Sequence, residues 1–404
     1  MEVSYKLEVM GCRIFQAVLK IGNYGMGYRM PQYLEGPGRI RQLGAFLREK
    51  NINDVLVVTG SGMVRRGQVQ PMLDGFVQAG IRYFVQTFDR PDPTSQDVET
   101  GFGAYNAQGC KAIVALGGGS RIDCAKGIAA KVARPRKTVA QLQGLLKVHK
   151  PMVPLVAIPT TAGAGSETTV AAVITDSRTH RKAAINDPCL IPRYAVLDPE
   201  LTVGLPPETT ATTGMDALAH AVEAYTNHTY NTKLEDRLAK EAVALVHHNL
   251  LTAYAHGEDL EARQNMQRAA FCAGRAFTRG CVGYVHAIGH TLGGLYGVSH
   301  GLAMAVLLPH VMRAYGPAVY GRLAELARVC GIPGDSDRQL AEGFIRWIED
   351  TNEKMGLPKG FAMIREEDIP QMVTWAKKEA NPLYPVPVVW GRQQLEQVIR
   401  SIRL

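Results

Sequence analysis

Five short apolar runs alternate with helix-patterned stretches up to residue 199, and the alternation stops at Pro206-Pro207. The runs are DVLVVTG at 54–60, IRYFVQTF at 81–88, KAIVALGGG at 111–119, PLVAIPTT at 154–161 and RYAVLDP at 193–199. Such near-continuous apolar character suits strands covered by helices on both faces. Between them, VRRGQVQPMLDGFVQAG and SRIDCAKGIAAKVA carry helical spacing, so this half reads as a parallel sheet flanked by helices. From Glu208 onward helical periodicity dominates, as in EDRLAKEAVALVHHNLLTAYAH and REEDIPQMVTWAKKEA. The expected organisation is an α/β domain over residues 1–205 and an all-helical domain over 206–404. Residues 1–30 mix Glu, Lys and Arg among apolar residues and are expected to pack on the domain as a strand or helix.

The bulk properties narrow the function classes. At 46% hydrophobic and 20% charged residues, the 404-residue chain is ordinary globular material. Its net charge of +8 is scattered in short groups such as Arg65-Arg66, Arg134 to Lys137 and Arg178 to Lys182. No long basic run alternates with aromatic residues, so no nucleic-acid partner is expected. A basic pocket for a phosphate-bearing cofactor accounts for part of the excess. No apolar run reaches the length of a membrane span, and no signal peptide opens the chain. The seven cysteines contain no CxxC pair, which suits reduced thiols in the cytoplasm.

Two segments carry metal-binding chemistry. In GMDALAHAVEAY, Asp216 and His220 stand four apart, which puts a carboxylate and an imidazole on one helical face. In GYVHAIGHTLGGLYGVSHG, His286 and His290 repeat that spacing, and His300 follows a Gly-rich turn. Each histidine alone could be a hydrogen-bonded core residue. Together, in surroundings of Ala, Gly and Leu, they need a common partner, and a divalent transition metal accepts this imidazole and carboxylate set.

Glycine-rich loops supply the second theme. In AIVALGGGSRIDCAKG, a buried strand leads into Gly117, Gly118 and Gly119, and Ser120 is placed to cap the following helix. Glycines allow close backbone approach to a pyrophosphate, which the helix N-terminus favours. A tight turn with no ligand is the alternative. Asp123 and Lys126 sit one turn apart, as supporting or cofactor-facing groups. Thr160, Thr161 and Ser166 in IPTTAGAGSETT can donate to phosphate or ribose oxygens. In VVTGSGMVRRG, Gly60 and Gly62 match a dinucleotide fingerprint, but Arg65 stands where the third glycine belongs.

Taken together, GGGSRIDCAK, PTTAGAGSETT, GMDALAHAVEAY and YVHAIGHTLGGLYGVSHG resemble the iron-containing (group III) alcohol dehydrogenases, from roughly residue 25 to the C-terminus. The resemblance implies a dehydroquinate synthase-like fold: an α/β domain binding NAD(P), an all-helical domain holding Fe²⁺ or Zn²⁺, and an active site in the cleft between. It makes Asp216, His220, His286 and His300 the metal ligands and puts the pyrophosphate on Gly117–Ser120. It further implies cofactor contacts from Thr160, Thr161 and Lys182, with His290 beside the ligand shell; as an imidazole His290 is the candidate proton relay, the alternative being a histidine that only packs or supports the ligands. Phe277 falls where the family has an aromatic wall of the substrate pocket. The implied reaction is hydride transfer between nicotinamide C4 and a primary alcohol or aldehyde, in a homodimer or larger homo-oligomer. A reductase for an anionic aldehyde, a hydroxyacid–oxoacid transhydrogenase and, more remotely, a metal hydrolase are the alternatives.

Two departures from the family pattern bear on specificity. Many members place Asp directly after the first-strand Thr, where it repels a 2′-phosphate. Here Gly60 and Ser61 follow, with Arg65 and Arg66 close behind, so NADP or dual use is expected over NAD alone. Ala171 and Ala172 leave a roomy apolar pocket suited to simple aliphatic alcohols. Arg279 could meet an anionic substrate group or serve a structural pairing.

Overall fold

The computed structural model describes residues 2–90, 92–178 and 182–404, so part of the basic group Arg178 to Lys182 lies outside the described residues. The chain forms two compact units. One comprises Gly27–Leu205 with Glu258–Gln267, and the other takes residues up to Met26, Pro206–Gly257 and Arg268–Leu404.

Among its described residues the first unit contains nine strands: β1 (Gln32–Glu35), β2 (Asp54–Thr59), β3 (Arg82–Thr87), β4 (Ala112–Gly117), β5 (Gly144–Leu145), β6 (Leu155–Pro159), β7 (Ala171–Thr175), β8 (Lys182–Asn186) and β9 (Tyr194–Leu197). Six form a sheet in the order β1-β9-β6-β4-β2-β3, with every pair parallel. β4 and β6 are buried along their whole length, and β2 is buried after its first residue, because helices cover both faces. β5, β8 and β7 make a smaller second sheet. The stretch 64–80 does not form one helix; a break at Gly67, with φ +70°, separates Ser61–Arg65 from Gln70–Ala79.

Strand order decides where a ligand can sit in this unit. From β2 the chain steps outward to β3, then returns across β2 to β4 and continues to the other side. The direction of winding therefore reverses between β2 and β4. In open parallel sheets, the crevice at the carboxyl ends of such a pair is where ligands bind. Those ends carry Gly60-Ser61 and Gly117–Ser120.

The second unit contains no strand after Pro206 among the described residues, only helices and two isolated bridge residues. Its central helix, Pro207–Asn227, is buried on every side from Gly214 onward, as an Ala- and Gly-rich helix inside a bundle must be. Residues before Met26 form a helix, α1 (Glu2–Gly25), tied to this unit. Tyr5 Oη donates to the Val389 carbonyl (2.6 Å), Arg13 to those of Val386 (2.9 Å) and Pro387 (2.8 Å), and Gln16 to Tyr384 (2.8 Å). No helix among the described residues is long and apolar enough to cross a membrane.

Candidate metal centre and nucleotide cradle

Asp216 and His220 project from one face of helix Pro207–Asn227, as their spacing requires. His286 stands in the first turn of helix Tyr284–Tyr296, and His300 opens helix His300–Tyr315. The two helices are joined through Gly297 in the left-handed region (φ +67°), which reverses the chain and returns His300 towards His286. One ligand atom from each of the four residues lies within 4.8 Å of the others. Asp216 Oδ1 is 3.3 Å from His300 Nε2, 3.7 Å from His220 Nδ1 and 4.0 Å from His286 Nε2.

The quartet fits a cation on its own chemistry. Asp216 Oδ1, His220 Nδ1 and His286 Nε2 are buried and have no hydrogen-bond partner. Leaving buried polar atoms unpaired costs roughly 1–3 kcal/mol each. Burial pushes His220 down to about 3 and His286 well below its usual range, so both rings are neutral near pH 7 and keep a lone pair. A carboxylate with neutral imidazoles aimed at one point is a donor set for Fe²⁺ or Zn²⁺.

Sequence reasoning missed the group that orients this site. Glu223 lies one turn beyond His220 on the same helix face and is buried. Its Oε1 accepts the Val285 N–H (2.7 Å), so the carboxylate sits at the N-terminus of helix Tyr284–Tyr296, where the dipole favours an anion. Its Oε2 is 2.5 Å from His286 Nδ1. A proton held on Nδ1 leaves Nε2 as the free donor facing Asp216. The clue was present as ionisable residues at positions i, i+4 and i+7: Asp216, His220 and Glu223.

His290 lies outside the quartet. Its ring is half-exposed and stacks on His300 with centroids 5.3 Å apart, and its Nδ1 is 2.7 Å from Glu379 Oε1. Tyr384 Oη donates to the same oxygen (3.1 Å). Phe277 stacks on the His220 ring at 4.1 Å, so it lies directly against the quartet. Arg279 is buried and donates to the carbonyls of Tyr230 (2.9 Å) and Asn23 (3.2 Å), which is the structural alternative for this residue.

Helix packing brings His300 into range. A Cβ on Gly301 would stand 2.3 Å from the Thr212 carbonyl oxygen, so helix His300–Tyr315 reaches helix Pro207–Asn227 only with glycine there. Gly301→Ala is therefore expected to push the helices apart and weaken metal retention by about tenfold. Metal content after dialysis against a competing chelator measures this.

In the α/β unit, Gly117 adopts φ +154°, and a Cβ there would lie 2.6 Å from Arg121 Cγ. This turn starts the next helix at Gly119, with Gly118 as its cap, and Ser120 is already inside it. Ser120 is thus not the N-cap: the glycine turn begins the helix earlier than a serine cap would. The Thr160 N–H donates to the Gly117 carbonyl, and Thr161 lies against Gly118. Asp123 and Ser166 bond each other (Oγ to Oδ1, 2.6 Å), and Asp123 also accepts the Val173 N–H (3.0 Å). Lys126 donates to Thr169 and to the carbonyl of Ala171, the first residue of β7. These three side chains brace the 160–171 loop against the glycine-loop helix.

At the end of β2, Gly60 caps helix Ser61–Arg65, Arg65 donates to Ser61 Oγ (2.8 Å), and the Ser61 N–H donates to Asp89 Oδ1 (3.0 Å). Asp89 was not expected from the sequence. Its hydrogen bond to Ser61 holds its carboxyl below the usual range, so it is ionised near pH 7. Lys182 is exposed and pairs with Asp92 (2.8 Å).

Residues 31–199 match the family model described as iron-containing alcohol dehydrogenase, and residues 210–403 match that of the Fe-containing alcohol dehydrogenase family, C-terminal. The chain is 38% identical over 343 residues to the NAD-dependent methanol dehydrogenase of Bacillus methanolicus, covering 84% of this chain and 90% of that protein. It is 36% identical over 388 residues to the 1,3-propanediol dehydrogenase of Klebsiella pneumoniae, covering 93% and 100%. A crystal structure of a 1,3-propanediol oxidoreductase superposes with a TM-score of 0.88 at 35% identity, covering 93% of this chain and 99% of that one.

Proposed function

Since the chain belongs to the iron-containing alcohol dehydrogenases, oxidoreductases acting on alcohols and aldehydes, we propose that it exchanges hydride between a nicotinamide dinucleotide and a small, neutral primary alcohol or its aldehyde. The observation that carries this reading is the convergence of Asp216, His220, His286 and His300 with unpaired buried atoms. These four residues would hold Fe²⁺ or Zn²⁺. A divalent cation there supplies Lewis-acid polarisation of an alcohol or carbonyl oxygen.

The protein's own groups do the rest. Glu223 keeps His286 Nε2 facing Asp216, where the cation would be held. Phe277 offers an apolar wall beside His220 and limits water there. His290, held through Nδ1 by Glu379, moves the alcohol proton to and from solvent at Nε2. Gly117, Gly118, Gly119 and Ser120 present backbone N–H groups to the pyrophosphate at the β2/β4 switch point, with Thr160, Thr161 and Lys182 as further contacts. The bonds of Asp123 and Ser166 make them supports of that loop. Neutral substrates are favoured because Arg279 is committed to backbone carbonyls, and the named relatives act on methanol and 1,3-propanediol. All seven cysteines are free thiols, which supports a reducing, cytoplasmic setting.

An activity matrix of NAD and NADP against neutral and anionic aldehydes, with metal analysis, tests the proposal. Turnover of neutral aldehydes that is lost on chelation and restored by Fe²⁺ or Zn²⁺ is expected. Absence of nicotinamide-dependent turnover in metal-replete protein would overturn it.

For the cofactor, the missing carboxylate at Gly60 and the nearby Arg65 and Arg66 support NADP or dual use. Asp89 is the opposing charge, though its Oδ1 accepts the Ser61 N–H. Gly60→Asp should then lower kcat/KM for NADP by about tenfold, ~1.4 kcal/mol, and leave NAD nearly unchanged. Equal losses with both cofactors would remove the argument.

A further inference from the structure

Helix α1 faces the wrong way for a surface helix. Four of its polar side chains point inward: Tyr5, Arg13 and Gln16 bond the 382–389 segment, and Glu8 pairs with Lys377 (2.8 Å), while Lys6 and Lys20 are exposed near its two ends. Between those lysines its outward face is apolar. Leu7, Met10, Ile14, Val18 and Ile21 are 53–75% exposed. Leu7, Ile14 and Ile21 repeat every seven residues, and Met10, Ala17 and Tyr24 form a parallel row. Glycines 11, 22 and 25 add no bulk, and a Cβ on any of them would meet open space. A 3-4 apolar repeat is the pattern of a helix that pairs with another helix. Monomeric surfaces rarely leave such a patch open.

We infer that α1 is a self-association element, pairing with α1 of a second copy across a two-fold axis. Three observations select a second copy as the occupant. The seven-residue repeat fits a helix of the same kind, and a two-fold interface is self-complementary. The area suffices: covering these side chains along 24 residues, about 36 Å of helix, removes several hundred Å² per copy, on the order of the ~800 Å² one partner gives a standard interface. The inward bonds hold the stripe in place before any partner arrives, which lowers the ordering cost of association. A membrane surface fits less well, because only two cations, Lys6 and Lys20, are exposed along the 24 residues, while the central Arg13 is committed to Val386 and Pro387. The helix precedes residue 31, where the family match begins, so it adds to the shared fold.

The test is the mass of the full chain by sedimentation velocity at micromolar concentration, wild type against Ile14→Glu/Val18→Glu. Both positions are exposed and supply no atom to the metal quartet, so activity and melting temperature should hold while the mass falls by about a factor of two. Ile14→Ala/Val18→Ala, which keeps helix propensity, should weaken association in the same direction and covers a glutamate variant that misfolds. An unchanged mass in both variants, or a monomeric wild type, overturns the inference. Pelleting of wild type with phosphatidylcholine–phosphatidylserine vesicles, lost in the variants with mass unaltered, would also overturn it and assign the stripe to a lipid surface.

Discussion

His286→Ala is expected to lose bound metal and to cut kcat/KM for any alcohol or aldehyde by about a thousandfold or more, since metal Lewis acidity contributes several kcal/mol to such reactions. The expectation rests on position. His286 supplies one of three buried, unpaired donor atoms, whereas His300 is partly exposed and solvent can replace part of what it offers. Truncation also removes the partner of Glu223, a buried carboxyl that burial already raises to about 7. The helical unit should therefore lose roughly 1–3 kcal/mol of stability. The α/β unit has its own sheet and apolar core and should keep its fold. Metal stoichiometry, steady-state kinetics and circular dichroism on the variant separate these effects. Wild-type turnover with unchanged metal content would reject the metal assignment.

What was legible in the chain depended on how local the physics was. β2, β4 and β6 announce themselves because burial on both faces demands unbroken apolar runs such as DVLVVT and AIVALG. β1 (QYLE) is a short edge strand that is half open to solvent, and β7 and β8 are only partly buried, so composition does not mark them. The four ligands were readable because a helix converts i, i+4 spacing into shared direction. The partners that orient the site were not, since they arise from distant packing: Glu223 is 63 residues from His286, and Glu379 is 89 from His290. Asp89 likewise meets Ser61 only because β2 and β3 pair in parallel. Residues before 26 group with the helical unit for the same reason. Their polar atoms seek carbonyls near the far end of the chain, an affinity that no local pattern encodes.

Glu223→Gln should weaken metal binding by about 10–100-fold without unfolding the protein, and the reason is a tautomer. In the native site one carboxylate oxygen accepts the Val285 N–H while the other faces His286 Nδ1, which fixes the ring proton there. A carboxamide has only one acceptor oxygen. If that oxygen stays on the Val285 N–H at the helix N-terminus, the amide NH₂ is turned towards Nδ1. Two donors cannot face each other, so the ring proton moves to Nε2, the atom that faces Asp216 and would bind the metal. The metal must then displace that proton or rotate the amide, and either step costs affinity. Metal titration at neutral pH reads the loss directly, and raising the pH should not restore it, because the carboxamide does not ionise. Glu223→Asp separates charge from reach: it keeps two acceptor oxygens on a shorter arm and should retain more affinity than the isosteric glutamine. Equal metal affinity for wild type and Glu223→Gln would show that Glu223 serves only to cap helix Tyr284–Tyr296.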